Sequence, residues 1–99
     1  MTVVHVAGEV DLSTTPTLRS ALSEHLDAGR SQLVVDLSDV GFLDSTGLGM
    51  LVSMHRRATE SGGSLRLSSV QRPVRRVLQI TGLEEVFGVD EPMSDDVTS

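Results

Sequence analysis

Phe42-Leu43-Asp44-Ser45-Thr46-Gly47-Leu48-Gly49-Met50 is the stretch that decides how this chain is read. The apolar run Leu33 to Leu37 leads toward it through a polar turn, Ser38-Asp39-Val40-Gly41, and a segment with helical spacing leaves it. It therefore reads as a strand-to-helix junction. A carboxylate and two hydroxyls stand where the first N–H groups of a helix lack intrahelical partners and where the dipole favours negative charge. Ser45 is most simply the N-cap, with the helix beginning at or just after it. Gly47 and Gly49 each sacrifice up to ~1 kcal/mol of helix propensity relative to Ala, which makes sense if another backbone or a partner must approach closely.

Working outward, Leu33-Val34-Val35-Asp36-Leu37 is nearly continuous in apolar residues, the pattern of a central strand covered on both faces. On the other side of the junction, Leu48, Leu51, Val52, His55 and Ala58 keep helical spacing until Gly62-Gly63. Upstream, Val3 to Ala7 is a β-branched run ended by Gly8. Ser13, Thr14 and Thr15 then precede Pro16, a hydroxyl cap before a favoured first helical residue, and Leu18, Leu22 and Leu26 form the core stripe of a helix that stops at Gly29. Downstream, Ser64-Leu65-Arg66-Leu67-Ser68 alternates as a strand with one wet face, and Pro73 opens a helix with Gly82 as its C-cap. Leu83 to Val89 can hold a last short strand or helical turn around Phe87. The alternation predicts an α/β fold with a largely parallel sheet. Gly8 to Asp11 and Phe42 to Gly49 should then share the end of the sheet where strands run into helices.

Composition narrows the function. The 99 residues suit a single domain over residues 1–89, followed by an acidic tail over residues 90–99 that is expected to be disordered. A net charge of −6 opposes binding to a polyanion, and Phe42 and Phe87 are the only aromatics, so nucleic acid is not an expected partner. With no cysteine and no basic N-terminal region ahead of a long apolar run, a cytoplasmic protein that does not span a membrane is expected. His5, His25 and His55 lack metal-ligand spacing, so neither a metal nor a cofactor is implied. A hydrolase elbow would need Gly where Leu43 stands, and a dinucleotide fingerprint would need Gly at Val52. Arg72, Arg75 and Arg76 read as a solvated basic helix face, with partner docking as the other possibility.

Taken in order, Gly8-Glu9-Val10-Asp11, Val34-Val35-Asp36-Leu37, the Asp44-Ser45-Thr46-Gly47-Leu48-Gly49 block, Gly62-Gly63 and Ile80-Thr81-Gly82-Leu83 resemble the STAS domain family, in particular its bacterial anti-sigma factor antagonists. The resemblance spans residues 3 to 89. It implies a small mixed, largely parallel sheet packed with helices. It also implies a binding protein, not an enzyme, that captures an anti-sigma factor serine kinase and releases the sigma factor. Phosphorylation of Ser45 would switch binding off, Thr46 being the alternative acceptor, and a metal-dependent serine phosphatase would restore it. The partner surface implied comprises Asp11, Asp44, Ser45, Thr46, Gly47, Leu48 and Gly49. One departure is that relatives usually carry a further strand before the one ending at Gly8, whereas here Val3 to Ala7 comes almost at once. The start is then short relative to relatives or that strand is an open edge, so a monomer or a weak homodimer is expected. The other readings are a STAS domain in a different signalling assembly and a helical carrier protein bearing a phosphopantetheine arm on its Asp-Ser pair.

Overall fold

A computed structural model of the chain describes residues 1–88. The elements, in order, are β1 (Thr2–Val10), α1 (Thr15–Asp27), β2 (Gln32–Leu43), α2 (Ser45–Glu60), β3 (Ser64–Ser68), α3 (Arg72–Thr81) and the single turn α4 (Glu84–Phe87). Val89 and the expected acidic tail, residues 90–99, lie outside the described residues.

The three strands form one sheet in the order β1-β2-β3, parallel at both pairings. Such a sheet is incompatible with the all-helical carrier reading. On β2, Leu33, Val35 and Leu37 are buried, while Val34 and Asp36 between them are half-buried. The expectation of a strand covered on both faces is thus corrected: one face carries the core and the other row, Val3, Val34 and Arg66 with His5, Asp36 and Ser68, is only partly covered.

The expected turn at Ser38–Gly41 is also corrected, because β2 runs on to Leu43. Its register against β1 slips twice: His5 and Ala7 face Asp36 and Asp39, and Gly8 and Glu9 face Val40 and Phe42. Each slip inserts one extra residue into β2, a β-bulge. As a result Leu37, Val40 and Leu43 all reach the core at a spacing of three rather than two. Polar Ser38 and Asp39 occupy the first extra turn of chain, which is why the segment resembles a loop in sequence. β1 likewise continues past Gly8, which takes φ +93°, to Val10. Among the described residues β1 pairs with β2 alone.

The core is one cluster. Leu18, Leu22 and Leu26 of α1 and Leu48, Met50, Leu51, Met54 and Ala58 of α2 pack with the inner face of the sheet, Val74 and Leu78 of α3, and Phe87. Met50 and Met54 take places the sequence spacing assigned to Val52 and His55, which are half-buried. Fully burying a Leu or Phe side chain contributes about 1.5–3 kcal/mol. Phe87 also meets the His55 ring edge-on, at 5.7 Å between centroids. Among the described residues no helix is long and apolar enough to cross a membrane.

Candidate functional site

Strands β1 and β2 end side by side, and one bond joins their ends: the Asp44 N–H donates to the Val10 carbonyl at 3.1 Å. The loop holding Asp11 and the junction holding Asp44, Ser45 and Thr46 therefore meet at one end of the sheet, as the strand order predicts.

Asp44, not Ser45, is the N-cap of α2. Its backbone is extended and its Oδ1 accepts from the Gly47 N–H at 2.9 Å, satisfying one of the orphan donors of the first turn. The carboxylate is thus held in place. Ser45 becomes the first helical residue and Thr46 the second, both exposed. Among the described residues neither hydroxyl makes a hydrogen bond.

The hydroxyls of the neighbouring loop behave differently. Asp11 Oδ1 accepts from the Ser13 hydroxyl at 2.8 Å, the Ser13 N–H at 3.0 Å and the Thr14 N–H at 3.2 Å. The Thr14 hydroxyl donates to the Glu9 carbonyl and the Thr15 hydroxyl to the Asp11 carbonyl, at 2.8 and 2.7 Å. The Ser13 hydroxyl, followed by the loop N–H groups, lowers the Asp11 pKa below the ordinary carboxylate value. Thr14 stands at the N-cap of α1 but makes no capping bond with its side chain; Asp11 satisfies that end instead. Asp11 is therefore first the brace of its own loop.

The two glycines divide. A Cβ on Gly47 would lie 2.6 Å from Val10 Cγ1, 2.8 Å from Leu43 Cδ1 and 3.3 Å from the Val10 carbonyl oxygen. Its bareness lets α2 start hard against the ends of β1 and β2. Gly49 meets nothing within 4 Å and is exposed, leaving a bare patch one turn along from Ser45. Leu48 is 7% exposed and belongs to the core. Of the expected contact residues, the fold presents Asp11, Asp44, Ser45, Thr46 and Gly49 outward and takes Gly47 and Leu48 inward.

Two apolar side chains at this end were not singled out from the sequence. Leu12, in the loop after β1, is 73% exposed, and Phe42, next to last in β2, is 49% exposed. Leu12 sits among polar loop residues where no packing period applies, and the bulge in β2 turns Phe42 outward. Leu12 lines a shallow groove with Thr15, Pro16, Arg19, Ser20 and Thr46. Among the described residues no cluster of His, Asp and Glu could hold a metal ion.

The family model described as "Mlab, STAS domain" matches residues 1–90. The chain is similar to an anti-sigma-B factor antagonist of Bacillus subtilis, 36% identical over 86 residues that cover 87% of this chain and 78% of that protein. It is similar to an anti-sigma-B factor antagonist of Staphylococcus aureus, 33% identical over 88 residues, covering 89% and 82%. Among solved structures, an anti-sigma factor antagonist from Mycobacterium paratuberculosis superposes with a TM-score of 0.80 at 33% identity, covering 97% of this chain and 81% of that one.

Proposed function

The chain belongs to the STAS domain family, and from that membership we propose that it is an anti-sigma factor antagonist, a binding protein and kinase substrate rather than an enzyme. Unphosphorylated, it binds an anti-sigma factor that is also a serine kinase, and the sigma factor is released. Phosphoryl transfer to Ser45 ends that binding, and a metal-dependent serine phosphatase restores it. The names of the relatives support the antagonist role.

The observation that carries the switch is the state of Ser45: exposed, without a hydrogen bond among the described residues, and first in α2 next to a carboxylate that is pinned. A kinase meets its hydroxyl with no internal bond to break. Once modified, the residue carries about −1.5 to −2 charge at a helix N-terminus, where the dipole and free N–H groups favour it, so the fold survives. Asp44 cannot swing away, because its Oδ1 holds the Gly47 N–H. Anionic groups on the partner then face two negative groups instead of one. At ~4 Å and an effective dielectric of 20, each unit-charge pair is worth up to about 4 kcal/mol, and about 1.4 kcal/mol is tenfold in affinity. Leu12 and Phe42 supply the apolar anchors of the docking surface, Gly49 its flat approach, and Asp11 the rigid loop beside it.

The test is phosphorylation by the cognate anti-sigma kinase with Mg-ATP, followed by peptide mass spectrometry. One phosphate on Ser45 is expected, with none on Ser45→Ala although Thr46 is retained. Modification of Ser45→Ala at the normal rate would move the acceptor to Thr46.

A further inference from the structure

β1 is an edge of the sheet: among the described residues it pairs with β2 alone, so its other side presents a row of unpaired backbone groups. From Thr2 to Ala7 its residues alternate between half-buried and exposed, an inner row of Thr2, Val4 and Val6 and an outer row of Val3, His5 and Ala7. Edges are commonly blunted with charge or proline, and between Thr2 and Gly8 only His5 is titratable and no proline stands. The His5 ring faces Asp36 and Asp39 of β2, at 3.4 and 3.0 Å, so it is turned away from the open side. Beside the edge runs a groove of about 360 Å³ between β1 and α1, where Val4 and Val6 meet Thr17, Leu18 and Ala21. Thr17 and Ala21, one turn apart on α1, are short side chains that leave room for a further strand.

We propose that a second copy of this chain fills that groove, its β1 running antiparallel to the first about a two-fold axis through His5. The argument is self-complementarity. Residues directly opposite in an antiparallel pair lie on the same face, so a two-fold axis normal to the sheet must pass through a residue. Through His5 it sets Val4 against Val6 in the inner row and Val3 against Ala7 in the outer row, each pair occurring twice. Through Val4 it would set Thr2 against Val6 and Val3 against His5; through Val6, it would set Val4 against Gly8 and Val3 against Glu9. Of these, the His5 register alone matches apolar with apolar in both rows. It also uses the whole segment up to Gly8, where φ +93° ends the alternation. Two three-stranded sheets then become one of six strands, with the two Ser45 ends pointing in opposite directions. The proposal does not depend on the phosphorylation of Ser45.

The chain has no cysteine, so Val3→Cys and Ala7→Cys, both on the exposed row, each supply a single thiol. Opposed residues of an antiparallel pair lie about 4.5–5.5 Å apart between Cα atoms, within disulfide reach. Val3 and the same residue of the second copy lie four positions apart, about 13 Å along the strand, and so do the two Ala7 residues. A mixture of the two variants in a glutathione redox buffer should therefore form the mixed disulfide dimer well above its statistical share, read by intact mass spectrometry. Sedimentation equilibrium of the wild type should show the mass rising from one chain to two with concentration. A mass of one chain up to the solubility limit, whatever part of the same chain then lies against β1, overturns the proposal. A statistical yield of the three disulfides, or a preference for either self-pair, overturns it as well, since the contact would then lie elsewhere or in another register.

Discussion

The Asp44 N–H donates to the Val10 carbonyl at 3.1 Å, so the last residue of β1 and the cap of α2 are held together by a backbone bond. Gly47 packs directly over that bond, within reach of Val10 and Leu43. Val10 is 1% exposed and Leu43 4%, so neither has room to retreat. Gly47→Ala should therefore destabilise the protein by roughly 1–3 kcal/mol, overpacking outweighing the ~1 kcal/mol gain in helix propensity. Gly49→Ala meets open space and should stabilise by up to ~1 kcal/mol. Urea unfolding of the two variants should move in opposite directions; equal shifts would show that the junction is not tightly packed.

The cap assignment separates two adjacent polar residues. Asp44→Ala removes the acceptor of the Gly47 N–H and should cost about 0.5–2 kcal/mol, while Asp44→Asn should keep most of it. Ser45→Ala removes a hydroxyl with no partner among the described residues and should stay within about 0.5 kcal/mol of the parent. If thermal melts showed Ser45→Ala to be the more damaging change, the cap would belong to Ser45.

Ser45→Asp should fold normally, since a carboxylate in the first helical turn gains about 0.3–1 kcal/mol from the dipole. It should nevertheless weaken capture of the anti-sigma kinase by tenfold or more, by the charge arithmetic of about 1.4 kcal/mol per decade. Calorimetry of wild type, Ser45→Ala and Ser45→Asp against the same kinase checks this. Undiminished affinity of Ser45→Asp would argue against charge as the switch.

Leu12→Ser and Phe42→Ser test the docking surface without testing the fold. Leu12 is 73% exposed, so its loss should leave the melting temperature almost unchanged while lowering affinity for the kinase. Phe42, also exposed at 49%, should behave the same way, losing binding with little change in stability. Normal binding by both variants would place the contact surface elsewhere.

The His5 imidazole faces Asp36 Oδ2 at 3.4 Å and Asp39 Oδ2 at 3.0 Å, on the partly covered face at the first bulge. The hydrogen bond to Asp36 raises its pKa above the ordinary 6.5, and Asp39 adds to the effect. A raised pKa stabilises the fold below pH 6.5, and the contribution is lost as pH rises through the folded value. Asp36 has the opposite sign: the Ser38 N–H lowers its pKa, so its contribution is present above 3.8 and is lost as pH falls through the lowered value. A proton resonance titration should place the His5 midpoint above 6.5, and Asp36→Asn should bring it down. No change in Asp36→Asn would remove Asp36 as the cause.

The repeating elements were legible because their periods are local. Leu18, Leu22 and Leu26, the alternation of Ser64 to Ser68, and Gly82 as a left-handed C-cap at φ +74° stand where spacing and turn chemistry put them. The second half of β2 was not legible, since a bulge changes the inward period from two to three and leaves Ser38-Asp39 looking like a turn. The choice between Asp44 and Ser45 as cap escaped for a related reason: both types cap helices well, and only the dihedral angles at the junction decide between them.

By itself, the sequence determined the α/β alternation, the meeting of two strand ends at Asp44-Ser45-Thr46, and the family those residues resemble. These follow from patterns a few residues long and from motif chemistry. Tertiary structure alone decided the role of each residue. Gly47 faces Val10 and Gly49 faces open space, and among the described residues the Ser45 and Thr46 hydroxyls are left unbonded. Whether a side chain is consumed inside the fold or presented outside depends on neighbours more than thirty residues away, such as Val10 against Asp44, and no local pattern encodes them.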